Sequence, residues 1–282
     1  MKKRSLRVRT ARIIDGVVTY LIIALISFIF FVPCIWIVLA SFSKSGSIYS
    51  FGGFFPSEYS FNSFIKLFTD TGTYDYPLWF GNTFKIAACA AVLGTFLTLL
   101  TAYCMSRYRF KGRKTMMKAT LVLGMFPSFM SMTAVYLLMT QLNAVNTHWG
   151  IIFIYSAGAP LGYMVYKGFF DTIPISIDEA AKLDGATDFQ IFLRITLPLS
   201  KPMIVYALLM SFASPWSDYL LSSLLLKDKS LWTVAQGLMY MPDTEFSRYA
   251  AGSVFIAVPI MALYICLIRY MVNGMISGSV KD

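Results

Sequence analysis

Charge is scarce in this chain: 13% of its 282 residues are Asp, Glu, Lys or Arg, against roughly 25% in a soluble domain. Histidine occurs once, at His148, so no imidazole pair exists for a catalytic dyad, and H-E-x-x-H and G-x-S-x-G are both missing. An intramembrane enzyme is therefore disfavoured, and an isolated His148 is expected to be a surface residue. The cysteines Cys34, Cys89, Cys104 and Cys266 lie in apolar runs without C-x-x-C spacing, which indicates neither a metal site nor a disulfide framework. No G-x-x-x-x-G-K-[ST] loop is present, so the backbone nest and lysine that ATP hydrolysis needs are lacking. Paired intramembrane charges and an inverted repeat, the marks of an ion-coupled secondary transporter, are not visible either. That class stands as the alternative among transporters.

Long apolar runs are abundant instead. Hydrophobic residues make up 57% of the chain and the mean hydropathy is +0.64, values that belong in lipid. Val17 to Ala40 carries no charge, and at 1.5 Å per residue it rises about 36 Å, enough to cross a bilayer with some tilt. Ile86–Met105, Ala119–Thr140, Trp149–Tyr166, Met203–Leu226 and Ala250–Ile268 give five further runs, and the expectation is an all-α polytopic membrane protein with six transmembrane helices. The basic N-terminus precedes a run too long for a signal-peptide core, and the first span is expected to be retained.

The net charge of +10 could suggest nucleic-acid binding, but the basic residues flank the spans and follow membrane topology instead. Eighteen Lys and Arg lie at the termini and in the second-to-third and fourth-to-fifth connections, against six in the others. The positive-inside rule thus predicts both termini in the cytoplasm of a multi-pass cell-membrane protein. Residues 1–16 form a basic N-terminal segment, 17–272 the six-helix domain with its cytoplasmic loop 168–202, and 273–282 a C-terminal tail. The other long connection, Ser41–Asn82, contains Phe51-Gly-Gly-Phe-Phe-Pro56 and is expected at the headgroup level outside.

The loop 168–202 carries dense punctuation. Ser176-Ile-Asp-Glu179 fits an S-x-x-E capping box, which would start a helix at Ser176 with Asp178 and Glu179 in its first turn, and Gly185 fits a left-handed C-cap. Thr187-Asp-Phe-Gln190 repeats the box and opens a second helix that Pro198 should end. The physical reading is a short capped helix on a compact turn, either a docking knob or an interfacial connector.

Glu179-Ala180-Ala181, three residues, Gly185, nine residues, Ile195, one residue, then Leu197-Pro198 resembles the E-A-A-x3-G-x9-I-x-L-P signature of MetI-like permeases of ATP-binding-cassette importers. Asn82-Thr83, Arg107-Tyr-Arg-Phe-Lys-Gly112, Met125-Phe-Pro127, Asp184-Gly-Ala-Thr187 and Tyr270-Met-Val-Asn-Gly-Met-Ile-Ser-Gly-Ser-Val-Lys281 are similar to the smaller permease subunit of maltose importers. Trp216-Ser-Asp-Tyr219 resembles sugar permeases more generally. The resemblance implies the MetI-like fold, a sugar cargo with malto-oligosaccharide expected, and a coupling helix whose signature residues dock an ATPase. It also implies a second permease subunit, two ATPase subunits holding ATP and Mg, and an extracellular solute-binding protein. No cofactor is expected on this chain.

Asp218 is the one carboxylate inside an apolar run. Such a residue is a functional candidate by default, although its place near the outer end of its span favours structure or gating over sugar contact. Pro127, Tyr163, Trp216 and Asp218 are the candidates for the substrate pathway. Pro33, Pro127, Pro160, Pro215 and Pro259 interrupt five spans and free backbone groups that need a protein-lined or wet interior.

Overall fold

The computed structural model describes residues 2–50 and 53–279; Met1, the first two residues of the Phe51–Pro56 motif and the tail end 280–282 lie outside the described residues. In chain order the helices are α1 (Lys2–Ser41), α2 (Asn62–Thr69), α3 (Tyr76–Arg107), α4 (Arg113–Met125), α5 (Met132–Gln141), α6 (His148–Gly158) and α7 (Tyr163–Phe170). They are followed by α8 (Ile175–Leu183), α9 (Asp188–Ile191), α10 (Leu197–Leu199), α11 (Lys201–Ser217), α12 (Tyr219–Leu225), α13 (Val234–Met239) and α14 (Phe246–Ser279). Among the described residues the only extended pairing is an isolated bridge between Ser43 and Tyr59.

Among the described residues three stretches, Gly16–Ser41, Tyr76–Arg107 and Asp243–Tyr270, are single helices long and apolar enough to cross a membrane, and the number reaches five if each of two bent pairs counts as one span. The six crossings expected from the apolar runs are thus not all continuous helices. The third run breaks at Pro127 between α4 and α5, and the fourth divides at a 3₁₀ turn, Ala159–Gly162, containing Pro160. The fifth ends α11 at Ser217, and α12 restarts beyond Asp218. Proline removes an N–H and crowds the preceding turn, which explains the breaks at Pro127 and Pro160. Pro33, Pro215 and Pro259 are carried inside α1, α11 and α14.

The chain divides into two compact units, one made of Met1–Thr69 with Met241–Val254, the other of Asp70–Tyr240 with Phe255–Asp282. In the first, Trp36 packs on Phe246 with ring centroids 5.5 Å apart. Ser247 donates its N–H to the Gly46 carbonyl at 2.9 Å, and buried Arg248 donates Nη2 to the Lys66 carbonyl at 3.2 Å.

The second unit is organised around α3. Its buried face runs through Ala87, Ala90, Ala91, Gly94, Thr95, Thr98, Leu99, Ala102 and Tyr103, a stripe at helical spacing made mostly of small side chains. In lipid, where burial of apolar area offers no gain, such a stripe lets neighbouring helices approach closely enough for dispersion to hold them. The helices α6, α7 and α11 pack against it. At one end of α3, Asn82 donates Nδ2 to the carbonyls of Ser230 and Trp232 at 2.9 and 3.0 Å, and Thr83 Oγ1 accepts the Val234 N–H at 2.8 Å. The Asn82-Thr83 pair of the sequence is therefore the anchor of the segment leading into α13. His148 is half-buried at this same end, its Nε2 3.0 Å from the Leu231 carbonyl, and so is a packed residue rather than a free surface one.

Candidate functional site

The loop 168–202 folds as a helix, a turn and a second helix, with two corrections to the expected capping. The first helix, α8, starts at Ile175 with Pro174 as its N-cap and no capping side chain. Ser176 is thus inside the helix, the S-x-x-E box is not formed, and Glu179 lies beyond the first turn. Proline sets its own φ, and the Ile177 N–H, a first-turn donor that a hydroxyl cap would otherwise take, bonds to the Pro174 carbonyl at 3.2 Å, so the chain turns into the helix at Pro174 without a hydroxyl cap. The second correction concerns Pro198, which does not end the helix begun at Thr187. A π-turn over Phe192–Thr196, in which the Leu197 N–H reaches the Phe192 carbonyl, carries the chain through to Leu199. The wider turn relieves the crowding that a proline ring imposes on an α-helix. The bend, 88°, comes at Ser200, between Asp188–Leu199 and Lys201–Ser217.

Two other local signals fold as their chemistry requires. Gly185 has φ +83°, and the Ala186 N–H meets the Ala181 carbonyl while the Gly185 N–H meets that of Lys182, both at 3.0 Å. This pair of bonds is a Schellman motif, which needs a residue tolerant of positive φ. At Thr187 the reciprocal box is complete, Oγ1 accepting from the Gln190 N–H at 3.3 Å and Gln190 Oε1 from the Thr187 N–H at 2.8 Å. Lys182 and Asp188 pair at 2.8 Å across the turn. The Lys182 bond and the Tyr108 hydroxyl hold the Asp188 carboxyl below its ordinary value. A depressed carboxylate pKa means that this tie is present through neutral pH and is lost only as pH falls through the lowered value.

Anchoring comes from the second helix. Ile191 and Phe192 are fully buried, and the Phe192 ring lies 5.0 Å from Tyr103 of α3 in a core shared with Phe170, Tyr163 and Tyr166. By contrast α8 buries only Asp178 and Ala181. Glu179, Ala180 and Gly185 are exposed, as is Leu183 at 91%. Ile195 and Leu197 are half-buried and Pro198 exposed. The signature residues therefore form a short projecting helix with an open, partly apolar face, seated on a helix fixed in the core.

The pathway candidates are dispersed. Pro127 is exposed at the α4–α5 break, Tyr163 is buried in the Phe192 core, and Trp216 is fully buried against Phe80 and Phe212 with centroids 5.1 and 5.9 Å away. Asp218 is the N-cap of α12, Oδ1 accepting from the Leu221 N–H at 3.0 Å, while Oδ2 accepts from Tyr155 Oη at 3.0 Å. Tyr155 in turn lines a cleft of about 460 Å³ with Thr98, Tyr166, Tyr206, Ser211 and Ser214; none of the four candidates lines it, and Asp218 reaches it through the hydrogen bond to Tyr155. Asparagine caps as well as aspartate. Asp218→Asn should therefore keep activity within about twofold, whereas Asp218→Ala should destabilise by about 1 kcal/mol. A tenfold loss of uptake in Asp218→Asn, measured beside thermal stability, would assign the charge to the pathway.

Residues 94–281 match the family described as binding-protein-dependent transport system inner membrane component. The chain is 36% identical over 268 residues to the maltodextrin transport system permease protein MalD of Streptococcus pneumoniae, covering 93% of this chain and 94% of that one. It is 33% identical over 278 residues to the galactooligosaccharides transport system permease protein GanQ of Bacillus subtilis, covering 97% and 98%. The chain belongs to the MetI-like permeases of binding-protein-dependent transport systems. Its fold is similar to that of a chain in a bacterial transporter importing the acidic polysaccharide alginate, with a TM-score of 0.73, 21% identity, and 91% of this chain and 96% of that one covered.

As a permease the chain is a multi-pass membrane component rather than a catalytic subunit, and the secondary-transporter alternative loses its ground. The exposed apolar surface now has a reason: α1 has no buried residue from Gly16 to Leu39, and α4 buries no residue, faces left for lipid or another subunit. Missed in the sequence were the hydroxyls of the cleft. Hydroxyls inside apolar runs were the available signal, but in spans they also bond back to their own helix, as Thr101 does to the Leu97 carbonyl at 2.8 Å.

Proposed function

We propose that this permease forms one half of a heterodimeric pore of an oligosaccharide importer, malto-oligosaccharide being the first candidate cargo, and that α8 is its coupling helix. The partners in this reading are a second permease, two ATPase subunits that hold ATP and Mg, and an extracellular solute-binding protein. The observation that carries it is the pairing of the full E-A-A signature with a projecting α8 that leaves Glu179, Ala180 and Leu183 open to a partner. ATP-driven closure of the ATPases would move α8 and tilt the attached helices between inward-open and outward-open states, the dimer being the bistable element. The cleft beside Tyr155 offers hydroxyl groups and aromatic edges suited to exchanging hydrogen bonds with a sugar. The cargo is read from the relatives, which are named as permeases for maltodextrins and galactooligosaccharides.

In this reading both termini lie in the cytoplasm, which the Lys and Arg asymmetry supports. Ser45→Cys and Lys111→Cys, each in a chain whose four cysteines are replaced by serine, test this placement. An impermeant thiol reagent applied outside should label the first and spare the second; the reverse pattern would overturn the orientation. For the cargo, the assembled complex in proteoliposomes should import labelled maltotriose with ATP and loaded binding protein. Uptake of a galactooligosaccharide in its place would redirect the specificity, and ATP hydrolysis by the isolated permease would sink the division of labour.

A further inference from the structure

We infer that Arg107 is a positioning residue of the coupling step, the group that makes α3 follow α8. This inference rests on the reading of α8 as the coupling helix. A projecting helix can transmit motion only through what ties it to the spans, and α8 has few ties: its buried side chains are Asp178 and Ala181 alone. Arg107, the last residue of α3, places Nε 2.7 Å from Asp178 Oδ2, with the two side chains 10% and 7% exposed. The same guanidinium donates Nη2 to the Ile173 carbonyl at 3.1 Å. It thus grips the chain on both sides of Pro174, where α8 begins without a capping side chain. The other tie, Lys182 with Asp188, runs between side chains 55% and 40% exposed, where solvent screens it to little worth.

The buried pair has the properties of a rigid link. A guanidinium holds its groups in a fixed plane, so an ion pair with Asp178 on one side of the turn and an Nη2 hydrogen bond to the Ile173 carbonyl on the other fix orientation as well as distance. Asp178 Oδ1 is buried and has no hydrogen-bond partner among the described residues, which leaves Arg107 as the charge that compensates it. The helix it grips from, α3, is the one against which α6, α7 and α11 pack, so displacement of α8 reaches those helices through Arg107. The chain connections of α8 alone would leave it free to pivot about the Pro174 and Gly185 turns.

The test uses the whole transporter in proteoliposomes, reading ATPase copurification, ATP hydrolysis and labelled maltotriose uptake. Arg107→Ala should leave copurified ATPase within about twofold while ATP hydrolysed per sugar imported rises at least about fivefold, because the tie and not the docking face is lost. Arg107→Lys, which keeps the charge but not the planar fork, should recover part of the coupling. Asp178→Asn, close to isosteric, should uncouple in the same direction as Arg107→Ala and carries the test if that variant does not assemble. Orientation is protected by Arg109, Lys111, Arg113, Lys114 and Lys118, which remain between the second and third apolar runs. An unchanged ratio of hydrolysis to import in an assembled Arg107→Ala complex would overturn the inference. So would failure of both Arg107→Ala and Asp178→Asn to assemble, which would make the pair a folding element. If α8 were not the docking helix at all, changes on its open face would leave ATPase copurification intact, whatever the Arg107 variants do.

Discussion

Gly185→Asp is expected to cut ATP-driven uptake at least tenfold, with copurified ATPase falling in step. Gly185 stands at φ +83° with no atom within 4 Å of an added Cβ, so the change meets strain rather than a clash. Aspartate is among the residues that tolerate the left-handed region, and the backbone penalty is about 1 kcal/mol. The larger effect is placement of an unpaired carboxylate in the face offered to the ATPase, where desolvation on docking costs several kcal/mol. Gly185→Asn separates the two contributions, since asparagine accepts the same φ without charge, and it should retain most of the uptake. Glu179→Lys acts on the same exposed face and should weaken ATPase copurification without disturbing the helix start, because Glu179 makes no cap. Either variant keeping full ATPase association while changing which sugar enters would place this loop in the substrate pathway and end the coupling-helix reading.

Gly237→Ala is expected to be among the most damaging single methyl additions in the chain. A Cβ built at Gly237 would lie 2.0 Å from Cε3 of Trp79. That indole cannot step aside: Trp79 is 1% exposed, its Nε1 donates to the Lys229 carbonyl at 3.2 Å, and its ring packs on Trp232. Overpacking of this kind costs about 2–3 kcal/mol. The loss should appear as a lower unfolding temperature of the purified permease and as weaker binding-protein-stimulated hydrolysis, since α13 follows directly from the segment held by Asn82 and Thr83. Trp79→Phe removes part of the obstructing ring. The double variant should therefore be more stable than the sum of the two single changes predicts, a coupling that a double-mutant cycle reads directly. Additive effects would show that α13 relaxes away from Trp79 at no cost.

The apolar runs, the asymmetry of lysine and arginine, the E-A-A signature, the left-handed turn at Gly185 and the capping box at Thr187 were legible in the amino-acid order. Each depends on near neighbours, on spacing within one loop, or on composition summed along a span, and such relations are present in the sequence before any helix meets another. Tertiary structure decided the rest. The start of α8 at Pro174 goes with an ion pair between Asp178 and a residue at the end of another helix, and the passage through Pro198 goes with a π-turn that seats Phe192 against Tyr103. Asp218 looked like an isolated intramembrane charge until Tyr155 was brought to it, and the cleft draws its hydroxyls from α3, α6, α7 and α11, spread along the sequence from Thr98 to Ser214. Which side chains meet across helices is set by where the small-residue faces allow close approach and by how each helix is broken, and neither has a fixed spacing along the chain.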